Sequence, residues 1–149
     1  MRVALRDPDS SRLLENWRWL IDDGQVTYVT LLSDLIIERH DGFWFLESES
    51  ARLERIASSR SELLKKLEAE ENSLLGSAFA QQLIDKGFQL AEGQCIGFKT
   101  PTVLGGLFEI GNVYAADPYE RVSFLGGMNE QLKEVPNGAQ VRLVIGEKR

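Results

Sequence analysis

The sequence predicts a single α+β domain over residues 1–149, a mainly antiparallel sheet flanked by helices. Three observations lead there. Residues 26–47 are dense in β-branched and aromatic side chains and contain Asp41-Gly42, a strong hairpin signal. Residues 50–86 instead repeat apolar side chains at helical spacing. No internal repeat, low-complexity tract or linker divides the chain, and 149 residues suffice for one well-buried core.

Taken in order, Asp9 or Ser10 is suited to cap a first helix running to about Asp22, with Leu13, Leu14, Trp17, Leu20 and Ile21 on one face. Gly24 fits a C′ position behind it. Two or three antiparallel strands follow in residues 26–47, the last being the FWFLES strand after Asp41-Gly42. Helices are expected from about Ser50 to Lys86. Their stripes are Leu53, Ile56 and Ala57; then Leu63, Leu64 and Leu67; then Leu75, Ala78, Phe79 and Leu83, closed by Gly87. The charged EAEEN stretch at 68–72 reads as a turn or helix end, and Asn72–Gly76 as a break between helices.

Gln94–Phe98 alternates as a strand does, and Thr100 before Pro101 is biased toward extended geometry. Gly105 and Gly106 then permit a tight turn. Phe108–Ala116 reads as a further strand. Asp117, Pro118 and Glu120 form an N-cap, N1 and N3 series for a helix carrying Val122, Leu125, Met128 and Leu132. Gly126-Gly127 lies inside it and calls for close packing as compensation. Pro136-Asn137-Gly138 turns the chain into a last strand, Gln140–Ile145.

The net charge of −6 is uneven. Residues 1–74 hold fifteen acidic and ten basic side chains, residues 75–149 eight and seven. An acidic chain is repelled by phosphate backbones, so direct nucleic-acid binding is disfavoured. An acidic face instead steers association with a basic protein. No window suits a membrane span or a signal peptide, and one cysteine forbids an internal disulfide, so a cytoplasmic location is expected.

Catalytic chemistry is sparse. His40, the single histidine, sits beside the Asp41-Gly42 turn with no nucleophile near it in sequence. Cys95 alternates into a strand and reads as a small buried hydrophobe. One cysteine and one histidine make a poor metal set, so neither metal nor cofactor is expected. Trp17 and Trp19 lie two apart and should point in different directions on a helix, Trp17 inward and Trp19 toward a possible interface, partly buried.

The run from Gly93 and Gln94 through Phe98, Lys99, Pro101, Leu104, Gly105 and Gly106, followed by Asn112 and Pro136-Asn137-Gly138, resembles a bacterial domain of unknown function. That domain forms the C-terminal part of type VI secretion immunity proteins that neutralise DNase effectors. Trp17-Arg18-Trp19-Leu20, Ser33-Asp34-Leu35 and Asp41-Gly42 before FWFLES are similar to it as well. Family members often carry glycine at the position of Ser33, and the family's immunity proteins have an additional N-terminal domain. A looser similarity connects the chain to SUKH-type immunity proteins. The resemblance implies a non-enzymatic protein that binds and neutralises a cognate toxin, with a nuclease as the expected class. The carboxylates available to imitate phosphates are Asp22, Asp23, Glu47, Glu49, Glu54, Glu70 and Glu71, with Trp19 as an aromatic contact. The alternative is a small-ligand or enzymatic pocket near Gly93–Gly106, a segment read here as a buried structural hinge.

Overall fold

The computed structural model describes residues 1–135; the expected turn at Pro136-Asn137-Gly138 and last strand Gln140–Ile145 lie outside them. Five strands form an antiparallel meander in sequence order: β1 (Leu5–Arg6), β2 (Gln25–Val29), β3 (Leu35–Arg39), β4 (Gly42–Glu47) and β5 (Arg52–Ala57). The Asp41-Gly42 hairpin forms as expected, pairing Arg39 with Gly42. A second, two-stranded sheet joins β6 (Cys95–Phe98) to β7 (Val113–Ala116). The fold is α+β.

Both faces of the meander are covered, which is why β2 is buried at four consecutive residues instead of alternating. Val26, Val29, Leu35, Ile37 and Leu46 pack on α1 (Ser10–Leu14), the 3-10 turn Glu15–Trp17 and the long helix α5 (Pro118–Leu132). Tyr28, Ile36, Phe43, Phe45 and Ile56 face the other way, against Leu63 and Leu67 of α2 (Arg60–Ala69) and Leu75. Between these helices runs α3 (Glu71–Leu74), and α4 (Ser77–Asp85) packs with β6 and β7 in a third cluster of Leu31, Ala80, Leu83, Ile96, Phe98 and Val113. Ile96 N–H donates to Leu31 O at 2.7 Å and ties the small sheet to the β2–β3 turn.

Several expectations need correction. The stripe Leu53, Ile56 and Ala57 belongs to strand β5, because hydrogen bonding to β4 outweighs the helical spacing of those three residues. The first helix is capped by Asp9 Oδ1, which accepts Arg12 N–H at 3.3 Å, but regular helix and its 3-10 extension end at Trp17. Gly24 is therefore the entry to β2 and no C′ residue. In the later helices Ala80 replaces Ala78 on the buried face, and Leu64 is exposed. Residues 108–112 contain a 3-10 turn, so the strand expected from Phe108 begins only at Val113.

Helix α5 does contain both central glycines. A Cβ on Gly126 would stand 2.7 Å from Asn16 O and 2.9 Å from Trp17 Nε1. Close approach of α5 to the first helical segment offsets the roughly 1 kcal/mol that a mid-helix glycine costs. The same approach seats Trp17, whose Nε1 donates to Val122 O at 2.9 Å.

Candidate functional site

The polar chemistry concentrates where the β2–β3 and β4–β5 turns meet. Thr30 Oγ1 accepts the N–H groups of Leu32 (3.2 Å) and Asp34 (3.0 Å), closing the first turn on itself. The turn holds Ser33 at φ +66°, a left-handed conformation that disfavours most side chains. Across from it, Ser48 N–H donates to Asp34 Oδ1 at 2.9 Å, and Ser48 Oγ–H donates to Ser33 O at 2.7 Å. Asp34 is thereby fixed at the mouth of the sheet while almost wholly buried.

Helix α5 completes the arrangement. Arg121 Nη2 meets Glu49 Oε2 at 2.8 Å, with both side chains more than nine-tenths buried. Glu49 Oε1 accepts Thr102 N–H at 2.9 Å. Asn129 Nδ2 donates to Ser48 O at 3.0 Å. One buried carboxylate thus joins α5, the β4–β5 turn and the loop after β6.

That loop, residues 99–112, is held by Asn112. Its Oδ1 accepts Thr100 N–H at 2.9 Å, and its Nδ2 donates to Thr100 O and Leu107 O at 3.1 and 3.0 Å. A Cβ on Gly106 would stand 1.8 Å from Thr100 O, so only glycine fits. Gly105 adopts φ +96°, Pro101 is buried, and Leu104 packs against the main core. Gln94 Oε1 accepts Ala91 N–H at 2.8 Å just after Gly93, which takes φ +81°. The expected turn forms. Within 93–106, residues 95–98 and Pro101 are buried, whereas Val103 and, just beyond the segment, Leu107, Phe108 and Ile110 are exposed, with Phe108 edge-on to Phe79 and Phe98.

Loop and sheet end together enclose a cleft of about 440 Å³. Leu32, Phe45, Leu74, Phe98 and Phe108 supply its apolar walls, and Asp34, Glu47, Glu49, Glu54 and Glu70 its carboxylates. Four of the candidate partner-binding residues (Glu47, Glu49, Glu54 and Glu70) therefore share one concavity. Three carboxylates there have cations: Glu49 has Arg121, Glu54 has Arg52 at 3.4 Å, and Glu70 has Lys66 at 2.9 Å. Glu47 accepts only the Ser50 hydroxyl at 3.0 Å, and Asp34 only its bonds from Ser48. Among the described residues neither has a cation within ion-pair distance.

Burial, reinforced by the charges of Glu47 and Glu49, pushes the Asp34 carboxyl up to about 8 from an ordinary 3.8, although the Ser48 N–H pulls the other way. Folding therefore favours protonated Asp34, and the contribution is complete below the unfolded value. It is lost as pH rises from about 4 through about 8. Asp34→Asn keeps an oxygen for Ser48 N–H and removes the charge. We expect it to stabilise the protein at pH 8 by more than about 1 kcal/mol and to flatten the fall in stability between pH 5 and pH 8. Urea midpoints at the two pH values test this; parallel profiles for variant and parent would contradict it.

The remaining candidates lie elsewhere. Asp22 and Asp23 meet Arg39 at 3.4 and 3.1 Å, at the opposite end of β3 from Asp34, roughly 16 Å along the strand. The Arg39 hydrogen bond holds the Asp23 carboxyl below its usual range. Glu71 lies 3.8 Å from the terminal ammonium. Trp19 does not diverge from Trp17: the rings stack at 5.8 Å between centroids, because the helix tightens and ends between them. Trp19 Nε1 donates to Asn16 O and Gly126 O, and Lys133 covers its ring. His40 is exposed at its turn, 3.8 Å from Asp23. Cys95 is buried, and burial pushes its thiol up to about 12, so it has no thiolate character.

Sequence reasoning missed Asp34, Ser48, Arg121 and Asn129 as site residues. Asp34, set between Leu31-Leu32 and Leu35-Ile36-Ile37, carried a signal as a polar residue in an apolar stretch; Ser48, Arg121 and Asn129 lie among polar neighbours and carried none. Among the described residues no three His, Cys, Asp or Glu side chains converge to hold a metal ion, and no helix is long and apolar enough to cross a membrane. No family model, curated protein or solved structure matches the chain.

Proposed function

We propose that this chain is a non-enzymatic immunity protein that binds a secreted protein toxin, a nuclease in the reading the motif resemblance favours. The acidic cleft meets the basic surface that such a toxin needs for its phosphate substrate. The observation that carries this reading is the juxtaposition of Glu47 and Asp34, both without a cation among the described residues, with the exposed apolar side chains of residues 103–110. Complementary charge sets orientation and encounter rate, and apolar or aromatic anchors supply affinity. Among the described residues the cleft lining offers carboxylates, Arg52, Ser73 and Thr102, but no imidazole, thiol or lysine to activate a hydroxyl.

Co-expression of the chain with the protein encoded beside it is the test. Restored growth of a host that the neighbour alone kills, together with recovery of a stable complex, is the expected outcome. Neither rescue nor complex would end the proposal.

One observation favours a second reading, a small-molecule site. Phe98, Thr102 and Phe108 bring the 93–106 segment and its neighbour to the cleft, whose floor holds the unpaired Asp34 carboxyl. A carboxyl in a cleft whose proton affinity is raised by burial is a candidate acid or base. Binding of a small cation with no protein partner would support it.

A further inference from the structure

The cleft's charge imbalance is confined to one spot. Extending the β3–β4 register by one residue beyond the Leu35–Leu46 pair sets Asp34 across from Glu47. Two carboxyls directly opposite cannot both ionise without cost, and the Glu47 charge helps to hold Asp34 protonated. Nothing among the described residues relieves them: Arg52, Glu47's partner in the β4–β5 register, turns its guanidinium to Glu54, and Arg121 is engaged by Glu49. Asp34 is 7% exposed and lines the cleft, and its second carboxylate oxygen receives no hydrogen bond from the described residues. That oxygen opens onto the cleft, where an incoming donor can reach it. Beside this spot stand aromatic and aliphatic walls, Phe45, Phe98 and Leu32, and Phe108 projects above them 60% exposed.

We infer that the Asp34–Glu47 corner is the seat for one Lys or Arg side chain of a partner protein, with an adjacent apolar partner residue resting on Phe108. The inference rests on the immunity reading and deepens it by naming the group that is bound. A guanidinium or ammonium would supply the missing charge and the missing donor together. Its aliphatic stem would lie along the apolar walls, as long cationic side chains do. The exposed apolar loop favours a protein segment over a bare diamine, which would leave Phe108 uncovered.

Seating a cation requires Asp34 to lose its proton. The titratable and charged groups around that event are Glu47 on β4, Glu49 in the following turn with its Arg121 from α5, Arg52 and Glu54 on β5, and Glu70 with its Lys66 at the end of α2. Affinity should therefore rise by up to about tenfold per pH unit below about pH 8 and level off above it.

Acetyl-Phe-Arg-amide is the probe, titrated into the 15N-labelled chain and followed by amide chemical shifts. Shifts around residues 34, 47 and 108 are expected, with at least about tenfold weaker binding of the citrulline analogue, which keeps the shape and loses the charge. Asp34→Asn should weaken binding and abolish its pH dependence, and Phe108→Ala should weaken it several-fold without altering that dependence. Equal binding of the citrulline peptide, or no shifts at millimolar peptide, overturns the seat. Equal or tighter binding of putrescine overturns the protein segment as occupant. A chain that captures and neutralises its toxin while ignoring the peptide sinks the seat and leaves the immunity reading standing. A chain that binds the peptide as described yet protects no host sinks the immunity reading and keeps the seat as a cation site.

Discussion

Replacing Arg121 by methionine is expected to lower the unfolding free energy by about 3–5 kcal/mol, the usual cost of leaving a buried charge without its partner. Glu49 is only 6% exposed, and Arg121 is its counter-ion at 2.8 Å. Methionine keeps much of the stem's volume but loses the guanidinium that lies over the Tyr114 and Phe124 rings, so the loss would reflect charge, hydrogen bonding and cation–π contact more than volume. Thr102 would still donate to Glu49, but one neutral donor does not neutralise a carboxylate. Adding Glu49→Met should recover most of the loss, since removing a buried ion pair entirely is often close to neutral. Urea unfolding of the single and double variants decides it. A double variant as unstable as the single one would mean that Arg121 acts through packing.

Glu47→Lys should separate folding from function. Its ammonium would stand across from Asp34 and fill the corner with the protein's own cation. Glu47 no longer opposes ionisation of Asp34 and the new ammonium favours it, so stability should be unchanged or slightly higher. Binding of a basic partner should fall by about a hundredfold or more, because a like charge facing a partner's cation costs several kcal/mol. Calorimetric affinity and the thermal midpoint, measured on one preparation, give both quantities. Undiminished affinity would move the binding surface away from the cleft.

Much of this fold was legible where local chemistry and tertiary context agree. Asp41-Gly42 formed its hairpin, Pro118 opened α5, and Gly126 sat inside a helix under the close packing it required. Strand β5 was not legible, because Leu53, Ile56 and Ala57 fit a helical stripe and only pairing with β4 makes them a strand. The two tryptophans misled for a related reason: a two-residue spacing diverges in a regular helix but not where the helix tightens and ends.

The candidate site was half legible. Excess negative charge in the first half pointed to Glu47, Glu49, Glu54 and Glu70, which the fold does bring together. It also pointed to Asp22, Asp23 and Glu71, which sit elsewhere with cations of their own. Composition counts charges without pairing them. Asp34 lay inside an apolar run, and only the crossing of two turns reveals it as a buried carboxyl without a counter-ion. The 93–106 segment, expected as a buried hinge, also contributes Phe98 and Thr102 to the cleft wall. Its glycines and Asn112 shape a loop whose apolar tip overlooks the acids.

Amide hydrogen exchange on the chain, alone and in complex with whatever partner the co-expression experiment recovers, tests the central claim most directly. Slowed exchange at residues 30–34, 47–49 and 99–112, with no change around Asp22 and Asp23, is the predicted footprint. Protection confined to the Asp22–Arg39 end of the sheet, with the cleft amides exchanging as in the free chain, would contradict it.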